Sequence, residues 1–190
     1  MEEIITIETK HIFIDIVNYT LKRSVEAQSD IIKSLNSIVM TTITDLVINK
    51  EEIIFIPTGD GMCISLINIK YPYDIHMKVA ILLLKKIESY NITQVDEMRK
   101  FNIRIGINEN IDNLIIDINE RKNISGAGIN LASRIEGLAD FNQILVGQSV
   151  YDKLVNREKY MNSFKPYIAT VKHGHKLNVF QFIDNSLSSL

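Results

Sequence analysis

The sequence of 190 residues contains one cysteine, three prolines, eight glycines and no tryptophan. Because Cys63 has no partner within the chain, a disulfide-stapled secreted scaffold is excluded, and we expect a reducing, cytoplasmic location. The longest uninterrupted apolar run, residues 79–84, is far shorter than the ~20 residues that a membrane span needs. Lysine and arginine number 21 against 23 aspartates and glutamates, so no basic excess is available to hold a nucleic-acid polymer or an anionic membrane.

The remaining composition is that of a globular protein, with 46% hydrophobic and 23% charged residues. The absence of linkers and repeats predicts that residues 1–190 form a single domain. We predict strands at 4–16, 52–57, 61–68, 102–108, 111–118, 143–147, 165–172 and 177–184, and helices at 20–49 (one or two in succession), 73–90, 126–139 and 148–155. The strands at 52–57 and 61–68 are predicted to form one hairpin, and those at 102–108 and 111–118 a second. The last two strands, 165–172 and 177–184, are predicted to pair. Strands and hairpins with helices on one side predict an α+β fold.

Two aspartates are candidates for chemistry. Asp15 ends an apolar strand, where the simplest alternative is a solvent-facing or helix-capping carboxylate. Asp60 lies in the turn Thr58–Gly61, and Asp-Gly is in any case a good turn sequence. If both strand ends meet at one edge of a sheet, their oxygens suit Mg²⁺ or Mn²⁺ held together with the phosphates of a substrate.

A third candidate is the predicted helix that follows a run of small residues at 125–128. Asn130 and Arg134 are four residues apart, so they share one helical face. Such a pair suits a sugar oxygen and a phosphate, although a solvated polar face would have the same pattern. Two other features are weak: His173 and His175 lack further ligands at metal-site spacing, and Cys63 has the pattern of a buried, inert thiol. No Ser-His-Asp order, Walker loop or dinucleotide fingerprint is present.

The order of these motifs resembles the class III nucleotide cyclase domain over roughly residues 10–183. The matching segments are Phe13–Thr20 (family pattern F-x-D-I-x-x-F-T), Thr58–Gly61, Ile103–Ile107, Ile129–Arg134 (family pattern V-N-x-A-x-R), Gln143–Val146 and Val150–Tyr151. The resemblance implies a ferredoxin-like βαββαβ core with extensions, which agrees with the α+β prediction. It also implies a homodimer with two equivalent sites at the interface, each combining metal-binding aspartates of one chain with the Asn/Arg pair of the other.

The same resemblance implies roles for individual residues. Asp15, Asp60 and the Ile16 carbonyl would bind two divalent ions, Mn²⁺ or Mg²⁺. Asn130 would orient the ribose, and Arg134 would stabilise charge on the α-phosphoryl group. Phe13, Tyr19 and Thr20 would belong to the turn against the β- and γ-phosphates. Lys172 or Lys176 would be the phosphate-binding lysine of the last strand pair.

The positions that read the base depart from the purine cyclases. Ile56 and Asn123 occupy the two aligned positions, and Ile56 cannot hydrogen-bond any base edge. An apolar residue there favours a smaller base, and Asn123 can pair with O4 and N3–H of uracil. This pattern resembles the pyrimidine cyclases of bacterial Pycsar anti-phage systems, which make cyclic UMP or cyclic CMP for a separate effector. Two alternatives remain: an adenylate or guanylate cyclase with a degenerate pocket, and an inactive nucleotide-binding or dimerisation module.

Overall fold

A computed structural model describes residues 4–170 and 176–183. The strands are β1 (Ile5–Ile16), β2 (Ile53–Pro57), β3 (Gly61–Ile67), β4 (Ile103–Ile116), β5 (Lys122–Ser125), β6 (Ile144–Gly147), β7 (Phe164–Thr170) and β8 (Lys176–Phe182). The helices are α1 (Val25–Asp45), α2 (Ile75–Thr93), α3 (Ala127–Glu136) and α4 (Gln148–Leu154), with short 3₁₀ turns at Lys50–Glu52, Glu97–Arg99 and Glu158–Tyr160. Within the described ranges, no helix combines the length and the apolar character needed to cross a membrane.

All the strands belong to one sheet. Four of them lie in the order β2-β3-β1-β4, and every neighbouring pair among these is antiparallel. With α1 between β1 and β2, and α2 between β3 and β4, this arrangement is the predicted βαββαβ core. Strand β6 pairs in parallel with β4, and β8 and β7 follow it, while β5 pairs with β4 off this path. The predicted α+β fold is therefore confirmed.

The face of the sheet that packs on α1 and α2 holds the main core. Alternate residues of β1, Ile12, Ile14 and Ile16, are buried there, as the period of two along a strand requires. Helix α1 contributes buried residues at spacings of four, among them Ile31 and Leu35. Each such aliphatic side chain stabilises the fold by about 1.5–3 kcal/mol through its burial.

The opposite face of β4 packs against α3. Gly106 is the reason that the two backbones can meet, because a Cβ atom there would lie 2.2 Å from the backbone nitrogen of Glu136. The end of α3 therefore rests directly on the strand. This contact fixes the height at which the helix crosses the sheet.

The prediction of a second hairpin over 102–108 and 111–118 was wrong. Strand β4 runs without interruption because β1 is long enough to pair with it over twelve residues, from Ile5–Leu114 to Ile16–Ile103. The chain reverses later, at residues 117–121. There Asp117 Oδ1 accepts hydrogen bonds from the backbone N–H groups of Asn119 and Arg121, at 2.8 and 3.1 Å. This side-chain turn replaces the one expected near Asn110.

The helix predicted over 20–49 is one helix and is shorter than expected. It begins after Ser24, whose Oγ accepts a hydrogen bond from the Ala27 N–H at 3.2 Å. It ends at Asp45, and Val47 then adopts a left-handed φ of 53°. Residues 17–23 form a loop instead, which leaves them free to line the end of β1.

Replacing Gly106 by alanine should destabilise the protein by about 2 kcal/mol or more, because the added methyl group would meet helix backbone rather than a movable side chain. Gly137→Ala is the matched control. Its Cβ would lie 3.6 Å from the nearest atom, Ser133 O, and its φ of −62° suits any residue. Urea unfolding of both variants measures the difference. Equal stability of the two would contradict the close contact between α3 and β4.

Candidate active site

Asp15 lies where the predicted site should be, one residue before the end of β1. In the sheet register it is opposite Gly61 of β3 on one side and Arg104 of β4 on the other. Gly61 lets the β2–β3 turn approach closely, since a Cβ there would lie 2.0 Å from Ile14 O. The Asp15 side chain projects toward the face that carries α3, opposite to its buried neighbours Ile14 and Ile16.

Asp60 lies in the turn between β2 and β3, as the hairpin prediction placed it. Gly59 adopts a φ of +100°, which only glycine takes up without strain, and the Thr58 N–H donates to Gly61 O at 3.1 Å. The backbone of the turn reaches β1 directly, because the Ile16 N–H donates to Asp60 O at 3.3 Å. The turn therefore brings Asp60 to the end of the strand that carries Asp15.

The two carboxyl groups are close enough to influence each other. Burial raises the pKa of Asp15, and the charge of Asp60 with a hydrogen bond between the two carboxyls raises it further, against the opposing effect of Arg104. A half-buried pair of acids that repel each other is a suitable donor set for a divalent cation. No group of three metal-ligating side chains is found among the residues that the structure describes. Further oxygens would have to come from a backbone carbonyl, such as that of Ile16, or from a substrate.

Arg104 contacts the metal-site candidate directly, and sequence reasoning assigned it no role. Its Nη2 and Nε lie 2.8 and 3.0 Å from Asp15 Oδ2. Both contacts use the same oxygen, so the guanidinium does not occupy Oδ1. The signal in the sequence is a charged residue two positions before Gly106, hence on the face of β4 that α3 covers.

Glu136, the last residue of α3, completes this cluster and was also missed. Its Oε1 lies 2.6 Å from Arg104 Nε, but the angle is not that of a hydrogen bond, and this oxygen has no other hydrogen-bond partner. Burial is the largest influence on its pKa and raises it to about 7. The charges of Asp15 and Asp60 add to that rise, and Arg104 opposes it. One guanidinium therefore contacts two carboxyl groups, those of Asp15 and Glu136.

The predicted phosphate turn is the loop that follows β1. Phe13 is half-buried on the α3 face of the strand, Tyr19 is half-buried against the main core, and Thr20 is exposed. Asn18 adopts a left-handed φ of 54°. The Val17 N–H donates to Asn102 O at 2.9 Å, which ties the start of the loop to the segment before β4.

Arg23 holds the same loop from its other end, and its role was not predicted. Its guanidinium donates to four backbone carbonyls, those of Asn18, Tyr19, Met98 and Lys100. A planar fork of five N–H donors is the side chain best suited to join two loops in this way. The loop is thus fixed by contacts more than 70 residues away in the sequence.

Asn130 and Arg134 share one exposed face of α3, as predicted, but not beside the aspartates of the same chain. The buried residues of the helix, including Gly128, Ala132 and Ile135, face the sheet. At 100° per residue, Asn130 and Arg134 each lie about 200° from Ala132, so both point away from the sheet. Asn130 donates only to Gly126 O, at 3.1 Å, and no hydrogen bond or ion pair of Arg134 is found with the described residues.

The two positions assigned to the base lie on strands that contact each other, β2 and β5, but their side chains face different ways. Ile56 packs against a small apolar cluster that includes Ile54 and Ile124. Asn123 precedes Ile124 in β5, so its side chain points to the other side of the strand. The Asn123 side chain accepts from the Ile124 N–H at 2.7 Å and donates to Asp117.

Of the two lysines predicted to bind phosphate, only Lys176 lies within the described residues. Lys172 lies outside the described residues, as do His173 and His175, and Lys176 begins β8. Cys63 is buried in β3, and burial raises the pKa of its thiol to about 12, which agrees with the expected inert thiol.

Comparisons with known proteins identify the family. The model of the adenylate and guanylate cyclase catalytic domain matches residues 5–183. No curated protein matches the chain. The chain belongs to this family: it is a nucleotide cyclase catalytic domain of the adenylate/guanylate type. Such class III domains generally use two divalent metal ions.

Solved structures share the fold at low sequence identity. The adenylyl cyclase CyaB from P. aeruginosa is 18% identical with a TM-score of 0.76, covering 96% of this chain and 97% of that one. The guanylate cyclase domain of RhGC from Catenaria anguillulae, in complex with GTP, is 20% identical with a TM-score of 0.68, covering 93% and 96%. The catalytic core of a rhodopsin-guanylyl cyclase with converted specificity, in complex with ATPαS, is 20% identical with a TM-score of 0.73, covering 97% and 100%.

Replacing Glu136 by glutamine should raise the free energy of unfolding at pH 8 by up to about 3 kcal/mol and change it little at pH 5. The folded-state pKa of about 7 exceeds the ordinary value of 4.5, so the folded protein retains a proton that the unfolded chain loses. The stabilisation linked to that proton is fully present below about pH 4.5 and is lost as pH rises through about 7.

Urea unfolding at pH 5 and pH 8, without divalent ions, measures this effect. Glu51→Gln, at an exposed glutamate, is the control, and its stability should differ from that of the wild type by the same small amount at both pH values. A Glu136→Gln protein that is less stable than the wild type at pH 8 would contradict the raised pKa.

Proposed function

We propose that this domain converts a pyrimidine nucleoside triphosphate, UTP before CTP, to its 3′,5′-cyclic monophosphate and pyrophosphate, as a homodimer. The observation that carries the proposal is the division of the candidate site. Asp15 and Asp60 meet where β1 ends and the β2–β3 turn lies, while Asn130 and Arg134 point away from the sheet on α3. Within one chain, therefore, the aspartate pair and the Asn/Arg pair do not face each other.

A two-fold dimer resolves this division. In such an interface the same surface is used by both chains, so each pair of aspartates would meet the α3 face of the partner. Two equivalent sites result. A dimer is also the arrangement that leaves the outward-facing side chains of α3 buried against substrate rather than solvated.

The residues have separate tasks in the reaction. The 3′-hydroxyl of the ribose forms a bond to the α-phosphorus, the bond from that phosphorus to the pyrophosphate oxygen breaks, and the hydroxyl proton leaves to solvent. Arg134 stabilises the negative charge that develops on the α-phosphoryl oxygens, and Asn130 orients the ribose. The loop that contains Tyr19 and Thr20, with Phe13 near the end of β1, contacts the β- and γ-phosphates.

Asp15, Asp60 and the Ile16 carbonyl would hold two divalent ions, Mn²⁺ or Mg²⁺. Bound ions of this kind lower the pKa of the attacking hydroxyl and neutralise charge on the departing pyrophosphate. Arg104 limits the negative charge of the cluster and, on Asp15, contacts Oδ2 and leaves Oδ1 for an ion. Lys172 is proposed as the lysine that contacts phosphate from the last strand pair.

The pyrimidine preference rests on the absence of a charged reader at position 56. Ile56 continues an apolar cluster, so a purine placed there would leave its polar edge without partners. Asn123 can pair with O4 and N3–H of uracil, provided that its amide gives up its present contacts with Ile124 and Asp117. The resemblance to Pycsar cyclases extends the proposal to a cytoplasmic second messenger that activates a separate effector in anti-phage defence.

Two other functions would use the same fold. The structural relatives, an adenylyl cyclase and guanylyl cyclases, favour an adenylate or guanylate cyclase with a degenerate pocket. An inactive nucleotide-binding or dimerisation module is disfavoured by the presence of all four residues Asp15, Asp60, Asn130 and Arg134.

The purified protein with Mn²⁺ and each of UTP, CTP, ATP and GTP should form a cyclic product from UTP, and more slowly from CTP. Mass spectrometry identifies the product, and Asp60→Asn provides an inactive control. A cyclic product from ATP or GTP alone would keep the family and overturn the pyrimidine assignment. No product from any of the four would favour the inactive module.

Mixing two inactive variants tests the divided site. Asp60→Asn and Arg134→Ala should each abolish turnover, and an equal mixture after subunit exchange should recover roughly a quarter of the wild-type activity. The reason is that half of the dimers would be mixed, and each mixed dimer has one intact site.

Arg157→Ala, at an exposed arginine away from this face, should behave like the wild type in the same assay. No recovery on mixing, with exchange verified by mass spectrometry of tagged chains, would show that each site is built within one chain.

A further inference from the structure

A chain of buried polar groups crosses the sheet beneath α3. Ser65 of β3, His11 of β1 and Asp112 of β4 are 0, 0 and 3% exposed. The Ser65 oxygen lies 2.8 Å from His11 Nδ1, and His11 Nε2 lies 2.7 Å from Asp112 Oδ2. The three residues come from distant parts of the chain, so the order that sequence motifs require of a Ser-His-Asp site was absent.

The protonation states of His11 and Asp112 set the direction of each hydrogen bond. Burial lowers the pKa of His11 despite the adjacent carboxylate, which leaves the ring neutral near pH 7. Burial raises the pKa of Asp112, but hydrogen bonds from His11, the Gly128 N–H and Asn110 outweigh it and hold the pKa below its usual range. His11 Nε2–H therefore donates to Asp112, and the Ser65 hydroxyl donates to Nδ1.

This arrangement is not a catalytic triad. Ser65 and His11 have no exposed surface, so no substrate can reach the hydroxyl group. The ring also presents Nδ1, not Nε2, to the serine, which is the reverse of the serine-protease arrangement. The chain of hydrogen bonds ends instead at the backbone of a helix.

Asp112 caps α3 from outside the helix. The N-cap residue of α3 is Gly126, which has no side chain to cap the first turn. Asp112 Oδ1 supplies the missing acceptor, since it receives the Gly128 N–H at 3.1 Å. A carboxylate at this position also interacts favourably with the helix dipole. Asn110 Nδ2 donates to the same oxygen at 2.9 Å, and His11 and the Thr9 hydroxyl donate to the other oxygen, Oδ2.

The same helical residue is held through its carbonyl group. Asn108 of β4, 2% exposed, donates from Nδ2 to Gly128 O at 3.2 Å. The contact is tight, because a Cβ at Gly126 would lie 2.0 Å from Asp112 Oδ1 and a Cβ at Gly128 would lie 2.4 Å from Oδ2. The first turn of α3 therefore rests on two buried side chains of β4.

We propose that Asp112 and Asn108, supported by His11 and Ser65, are positioning residues. By holding the first turn of α3 they set the position of Asn130 and Arg134 relative to the sheet. This inference rests on the proposed function of those two residues. Asn130 and Arg134 lie two and six residues beyond Gly128, which is about 3 and 9 Å along the helix axis. A displacement of 1 Å at reacting groups can cost about a hundredfold in rate, so a loosened first turn reaches the chemistry.

Asp112→Asn tests the proposal, because the amide keeps the shape but offers an N–H where His11 or Gly128 already donates. We expect hydrogen exchange at the amides of residues 127–131 to accelerate at least tenfold, with exchange in β1 and β3 unchanged. The kcat should fall tenfold or more while KM changes less than about threefold, since ground-state binding is retained. Asp140→Asn, at an exposed carboxylate beyond the end of α3, is the matched control.

A double-mutant comparison separates positioning from general destabilisation. In a protein that already carries Asn130→Ala but keeps Arg134, Asp112→Asn should cause a smaller loss of turnover than it causes in the wild type. Asn108→Ala is the second variant if Asp112→Asn does not fold, and the same pattern is expected from it.

Each outcome decides the proposal. Unchanged exchange at residues 127–131, an unchanged kcat, or a full additional loss in the double-mutant comparison would overturn it. If the wild type forms no product from any nucleotide, the proposed function fails separately. The exchange measurement then still decides whether Asp112 and Asn108 hold the helix.

Discussion

The pairing of β1 with β4 is the constraint on which the rest of the molecule depends. Over twelve residues the two strands run antiparallel in a single register, so opposite residues share a face. One face carries the aliphatic residues that pack on α1 and α2. The other carries Asp15 beside Arg104, Phe13 beside Gly106 and His11 beside Asn108. A slip of one residue would exchange these faces and place charges in the core.

This division explains why the site forms at the end of β1 rather than elsewhere. Asp15 lies near the end of the strand, and the β2–β3 turn folds back so that Asp60 lies beside it. Gly61 allows this approach because it has no side chain to hold the turn away from β1. Arg104 is delivered by the same register. The candidate site is thus a product of strand ends and tight turns, with the surrounding loop held by the guanidinium of Arg23.

The sequence predicted much of this from local signals. The alternation in β1, the Asp-Gly turn and the helical spacing of Asn130 and Arg134 need only neighbouring residues, and the structure agrees with each. The second hairpin failed because nothing local shows that β1 is long enough to keep β4 extended. The contacts of Arg23, Arg104, Glu136 and Asp112 were missed because each joins residues far apart in the sequence, whose meeting only the assembled sheet decides.

The face of the sheet that packs against α3 contains several ionisable side chains, although it is largely buried. Asp15 and Glu136 share Arg104 at one end, and Asp112 with His11 occupies the other. Helix α3 spans the two, with its first turn on Asp112 and its last residue on Arg104. Its apolar residues pack on the sheet, but its two ends are located by charged groups, whose geometry is more exacting than that of apolar contact. A helix located in this way can present Asn130 and Arg134 to a partner chain at a defined position. The proposed site, divided between two chains, would require this accuracy, because neither chain alone could correct an error in the other.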